Sequence, residues 1–186
     1  VGIHSLSSKK LLVDGTTVVG NASSFYGVYV DTLAAPGASD TSLVKSATIS
    51  GFSTGSGIYV AKGMPLIKGN EIDGNKWGIQ LRGGSVPRVE PLKVGSTEYR
   101  NSLRDNTTGV YVYGNLIPKV RKIDIRCPAS GTGVYPDGSS SGTYARLNIS
   151  LGATGIDDRS LALATFDSCA VDSFTSAGIR VGAATT

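Results

Sequence analysis

Carboxylates, tyrosines and arginines are the side chains of this sequence best placed to do chemistry. Hydrolysis of a glycosidic bond needs two carboxyl groups at a set separation, one an acid and the other a base or nucleophile. Asp137 and Asp157 are the best candidates, because the repeat described below puts them on adjacent strands, offset by two residues. With about 4.8 Å between strands and 3.3 Å of rise per residue, their backbones are roughly 8 Å apart, within the range of an inverting pair. Arg159 is expected beside Asp137 and Arg180 beside Asp157. A neighbouring guanidinium favours the ionised carboxylate, which suits a surface ion-pair ladder and not a general acid. Asp158 is a third acid of interest, since it stands where most other repeats have an apolar residue. It marks a distorted coil, a buried polar contact or a carboxylate with a raised pKa.

Other chemistry finds less support. Cys127 and Cys169 are too few for a disulfide framework, have no histidine cluster for zinc, and read as buried thiols. The single histidine, His4, has no visible partners for a Ser/His/Asp arrangement. No Asp-rich cluster suggests calcium, so neither a metal nor a cofactor is expected. Three glycosylation-type triplets, at Asn21, Asn106 and Asn148, are expected by chance in a chain so rich in Asn, Ser and Thr.

The elements that must position these residues are set by a repeat. Glycine, apolar, any residue, apolar recurs at Gly27-Val28-Tyr29-Val30, Gly57-Ile58-Tyr59-Val60, Gly78-Ile79-Gln80-Leu81 and Gly109-Val110-Tyr111-Val112. Variants start at Gly2, Gly133, Gly155 and Gly178, giving intervals of 25, 30, 21, 31, 24, 22 and 23 residues. The two long intervals read as loop insertions into a shorter coil. A second alternating segment lies inside each interval, for example Ile123-Asp124-Ile125, so each coil has at least two strands. Asn70, Ile72, Asn75 and Gly78 share their spacing with Asn101, Leu103, Asn106 and Gly109, which predicts equivalent turns on successive coils and stacked side-chain ladders. The pattern predicts an all-β parallel solenoid of about eight coils forming a single domain over residues 1–186, rather than a β-sandwich, which would not repeat one motif eight times.

Alternation on a strand then assigns two outward columns. The first reads His4, Tyr29, Tyr59, Gln80, Tyr111, Tyr135, Asp157, Arg180; the second reads Leu6, Asp31, Ala61, Arg82, Tyr113, Asp137, Arg159, Gly182. Five of the eight tyrosines fall in these columns. Stacked phenols interleaved with Arg and Gln suit sugar rings, which need a flat apolar face and hydrogen-bond partners at their edges. The candidate substrate-binding residues are therefore Tyr29, Tyr59, Gln80, Arg82, Tyr111, Tyr113 and Tyr135. The same tyrosines would serve as plain ladder residues or in a subunit contact. The two insertions, Asp31 to Ser46 and Gly83 to Tyr99, are expected to wall a groove around Tyr59, Gln80 and Arg82.

Composition bounds the partners. The net charge is +4, and the 18 basic residues are scattered without a Lys/Arg block, so nucleic acid is not expected. No run of about 18 apolar residues is present, so no membrane insertion is expected either.

The repeated motifs resemble the coils of right-handed parallel β-helix proteins, the pectate-lyase-like enzymes and the tailspikes of bacteriophages. The resemblance covers nearly the whole chain and is most like a tailspike segment. It implies a long polysaccharide laid along one face, recognised and in some members depolymerised by a glycosidase. It also implies a homotrimer and a place on the virion tail or otherwise outside the cell. Two other functions fit the same resemblance: a structural shaft or adhesin without activity, and a pectate-lyase-like polysaccharide lyase. The motif recurs up to both ends without room for a capping element, which suggests a piece of a longer protein.

Overall fold

A computed structural model of the protein describes residues 1–8, 10–32, 42–83, 86–114 and 116–182. The glycine-led segments form one parallel eight-stranded sheet, here the motif sheet. Its strands are Ile3–Ser8, Tyr26–Thr32, Ser56–Lys62, Trp77–Arg82, Thr108–Tyr113, Thr132–Gly138, Thr154–Ser160 and Ala177–Val181. A second parallel sheet holds Leu12–Asp14, Leu43–Lys45, Leu66–Lys68, Arg88–Glu90, Lys119–Arg121, Thr143–Ala145 and Thr165–Asp167. A third holds Thr17–Val19, Thr48–Ser50, Glu71–Asp73, Asn101–Arg104, Ile123–Arg126, Asn148–Ser150 and Ala170–Asp172. The chain visits the three sheets in turn and pairs each strand with its equivalent one repeat on, which is the architecture of a parallel β-solenoid. No helix occurs among the described residues, and so none is long and apolar enough to cross a membrane.

Each repeat thus carries three strands. Those of the second sheet are three residues long with a single inward side chain each, such as Val44 between Leu43 and Lys45, too short for alternation to show in the sequence. Between the second and third sheets the turn is made by one residue in the left-handed region at the same place in successive repeats: Gly15, Ser46, Gly69, Lys122, Arg146 and Ser168, with φ from 52° to 59°. Turning there lets one buried aliphatic per strand stack on the next. Ile49, Ile72, Leu103, Ile125 and Ile149 form such a row in the third sheet, and Ile58, Ile79, Val110, Val134 and Ile156 in the motif sheet.

The motif glycines have a steric reason rather than a torsional one. A Cβ built on Gly109 would lie 2.6 Å from the Gly133 carbonyl oxygen and 2.6 Å from the Ile125 side chain. Gly78 would meet the Gly109 carbonyl at 2.7 Å, and Gly133 that of Gly155 at 2.5 Å. Each repeat therefore sits on the next through a site with no room for a side chain. The predicted asparagine ladders are present, but the asparagines work through their amides and not by accepting positive φ. Asn70 Nδ2 donates to Asn101 Oδ1 at 2.9 Å and Asn75 Nδ2 to Asn106 Oδ1 at 2.9 Å, while the same oxygens accept the backbone N–H of Asn70 and Asn75. All four asparagines are buried, and these bonds satisfy groups that water cannot reach.

The insertions differ from expectation. The second contains an antiparallel hairpin, Leu92–Val94 with Thr97–Tyr99, which replaces the turn between the second and third sheets. It packs over Gly69 and so walls a groove at that corner, not beside the motif sheet. Of the first insertion, residues 33–41 lie outside the described residues.

Candidate functional site

The register of the motif sheet places the first outward column as expected, with His4 opposite Tyr29, Tyr29 opposite Tyr59, Tyr59 opposite Gln80, Gln80 opposite Tyr111, and Tyr111 opposite Tyr135. The second column is displaced at one point. A bulge after Val30 pairs Asp31 with Lys62 in place of Ala61. Farther along, Arg82, Tyr113 and Asp137 follow in sequence.

Outward does not mean free, because the rings pack against one another and form two groups. In the first, Tyr29 and Tyr59 have centroids 5.0 Å apart, Tyr26 lies 4.7 Å from Tyr59, and His4 meets Tyr29 edge-on at 4.5 Å. Tyr59 is only 8 % exposed, so it forms the floor of this group, and Tyr29 is half-buried. In the second, Tyr111 is the hub: Trp77 stacks on it at 6.0 Å, Tyr135 lies at 5.3 Å and Tyr113 at 6.3 Å. Gln80 stands between the groups, buried, its amide oxygen accepting the Ser56 hydroxyl at 2.6 Å. Arg82 lies over the exposed Tyr113 ring at 5.3 Å, and Lys76 over Trp77 at 4.3 Å.

Tyr26 and Trp77 are members that column reasoning missed. Both precede a motif glycine and so fall outside the four-residue pattern, yet an aromatic at that position in two repeats is a readable signal. Burial pushes the Tyr111 phenol up to about 12, helped by Asp137 nearby, and raises Tyr29 and Tyr135 as well. These phenols stay protonated at neutral pH and present uncharged O–H groups around apolar rings.

Beyond the second group the face changes character. Asp157 is 3 % exposed and lies within reach of two guanidiniums. Arg180 Nε donates to Oδ1 at 2.8 Å, its Nη2 contacts Oδ2, and Arg159 Nη2 reaches Oδ2 at 3.1 Å. Burial alone would raise this carboxyl, but the hydrogen bonds from Arg180 and Arg159 outweigh it and hold the pKa below the usual range. Arg159 stands opposite Asp137 in the register, as expected, but its guanidinium engages Asp157 and lies 5.4 Å over Tyr135. Asp137 is half-buried and accepts its neighbour Gly138's N–H at 2.8 Å. Asp158 closes a local turn, accepting Ser160 N–H at 3.1 Å and Ser160 Oγ–H at 2.6 Å. The polar contact expected of Asp158 is present, but it is local and half-buried rather than buried.

The ion pairs keep Asp157 ionised, which suits a base or nucleophile and not a general acid. Among the described residues no cluster of His, Cys, Asp or Glu could hold a metal ion. Cys127 is a buried thiol pushed up to about 12 by desolvation, and Cys169 is half-buried and free. No family model, curated protein or solved structure matches the chain.

Proposed function

We propose that the motif sheet is a glycan-binding face and that the protein is a carbohydrate-recognising β-helix of the tailspike kind, right-handed and of about eight coils, which engages a bacterial surface polysaccharide. The observation that supports this most is the second aromatic group. Trp77, Tyr111, Tyr113 and Tyr135 sit on three adjacent strands, with Tyr113 43 % exposed, the Tyr111 and Tyr135 phenols protonated and Arg82 at the edge. A saccharide unit laid here meets apolar ring surface and finds O–H and guanidinium partners for its hydroxyls. Binding without cleavage is the better supported half of the reading, because two arginines engage both carboxylate oxygens of the buried Asp157. A virion-tail location and a trimer belong to the same proposal.

The test is retention on immobilised lipopolysaccharide or capsular polysaccharide. Tyr111→Ala is expected to weaken it by about tenfold, as for the loss of a central aromatic contact. Retention equal to that of the unaltered protein on every surface that holds it would overturn the assignment. Asp137→Asn is expected to leave both retention and polymer length unchanged; polymer shortening that this substitution abolishes would replace binding with hydrolysis.

A further inference from the structure

The second sheet presents a different outward surface. Its two exposed columns carry Lys45, Lys68, Arg88, Lys119 and Arg121 on four successive strands. The same columns carry three carboxylates, Asp14, Glu90 and Asp167, leaving a surplus of two. Glu90 is the organiser. It is 6 % exposed, and Lys68 reaches its Oε1 at 3.0 Å while Arg88 and Arg121 reach Oε2 at 2.9 and 2.8 Å. One buried acid thus fixes two guanidiniums side by side, each through a single terminal nitrogen. Their side chains stay 46 % and 55 % exposed.

Next to this cluster, Lys119 pairs directly across the ladder with Arg88. Like charges opposite one another destabilise a sheet unless an anion lies between them. A groove of about 630 Å³ runs over these residues, lined also by Met64 and Val86. The next strand, Thr143–Ala145, is uncharged on both outward positions and ends the basic patch.

We infer that this face binds a polysaccharide bearing carboxylate groups, which sit on Arg88, Lys119 and Arg121. Guanidiniums held in place present two N–H groups to a carboxylate in fixed geometry, and the cations recur every strand, about 4.8 Å, as repeated charges on a linear polymer require. Single-stranded nucleic acid fits less well, because no outward position of these strands carries an aromatic ring on which a base would stack. The inference goes beyond the motif-face reading and does not depend on it.

The probe is polygalacturonate, with neutral dextran and a single-stranded DNA as comparators, measured at low salt by equilibrium binding. The unaltered protein binds polygalacturonate in preference to both, and added salt weakens the interaction. Lys119→Gln removes a charge that no carboxylate among the described residues engages and that faces Arg88, so its melting should not fall while its affinity falls about fivefold. Arg121→Gln with Lys119→Gln falls further, and Tyr111→Ala has no effect on this ligand. Unchanged affinity in the double variant, or tighter binding to the DNA than to polygalacturonate, overturns the inference. Loss in Tyr111→Ala equal to that in Lys119→Gln does so too, because it would move the anion onto the motif face.

Discussion

The motif face and the second-sheet face share one geometry, parallel strands repeated about every 4.8 Å, but they hold their side chains by different forces. On the motif sheet, ring packs on ring around a buried amide, and charge is peripheral to the rings, as with Arg82 over Tyr113, or neutralised, as at the far end where two arginines engage Asp157. On the second sheet, a single buried glutamate gathers three cations and leaves the surface positive. One scaffold thus carries two chemically independent columns, because a strand's inward residue sets the stacking and its outward neighbours are left to chemistry.

The largest expected effect strikes the support of one face only. Gly109→Ala places a methyl against the Gly133 carbonyl and Ile125 beneath the motif sheet, and a loss of about 3 kcal/mol in urea unfolding is expected. A variant as stable as the parent would mean that the repeats are not in this close contact. Acid should act on the other face. Burial would raise the Glu90 carboxyl, but the bonds from Lys68 and Arg121 outweigh it and hold the pKa at about 2 against an ordinary 4.5. A depressed acid stabilises fully above the unfolded value and loses its contribution as pH falls through the folded one. Between about 4.5 and 2 the protein should therefore lose stability more steeply than Glu90→Gln does. Parallel curves would show that the cluster is not coupled to folding.

A smaller effect is expected inside the core where the second sheet carries Tyr144, between a run of valines and isoleucine on one side and Phe166 on the other. The ring stacks on Phe166 at 4.9 Å, but the hydroxyl is buried with no hydrogen-bond partner among the described residues. Tyr144→Phe should stabilise by about 1 kcal/mol, because it removes an unsatisfied polar group and keeps the ring contact. A loss of stability on calorimetry would indicate a partner for that oxygen.

Which parts were legible in the sequence follows from the same geometry. The glycine-led motif showed itself because its glycine is required sterically in every repeat but the last, Gly178, and its strand is long enough to alternate. The asparagine pairs were legible for a similar reason, since identical buried amides must recur at identical spacing to bond each other. The second sheet was invisible, because a three-residue strand with one inward side chain has no period to detect. Its basic patch was hidden with it: Lys68, Arg88, Lys119 and Arg121 are scattered along the chain and meet only when the repeats stack. Exposure also escaped sequence reasoning. Tyr59, Gln80 and Asp157 point away from the core, as alternation requires, yet neighbouring side chains of the same face bury them.

Trp77 is the only tryptophan in the chain and stacks on Tyr111 at the centre of the proposed glycan site, so its fluorescence reports on that site directly. Titration with an oligosaccharide from a surface polysaccharide that retains the protein should give a saturable change in Trp77 emission, weakened about tenfold in Tyr111→Ala and unaffected by Lys119→Gln. Retention of the glycan with no change at Trp77, and equal affinity in Tyr111→Ala, would contradict the motif face as the binding surface.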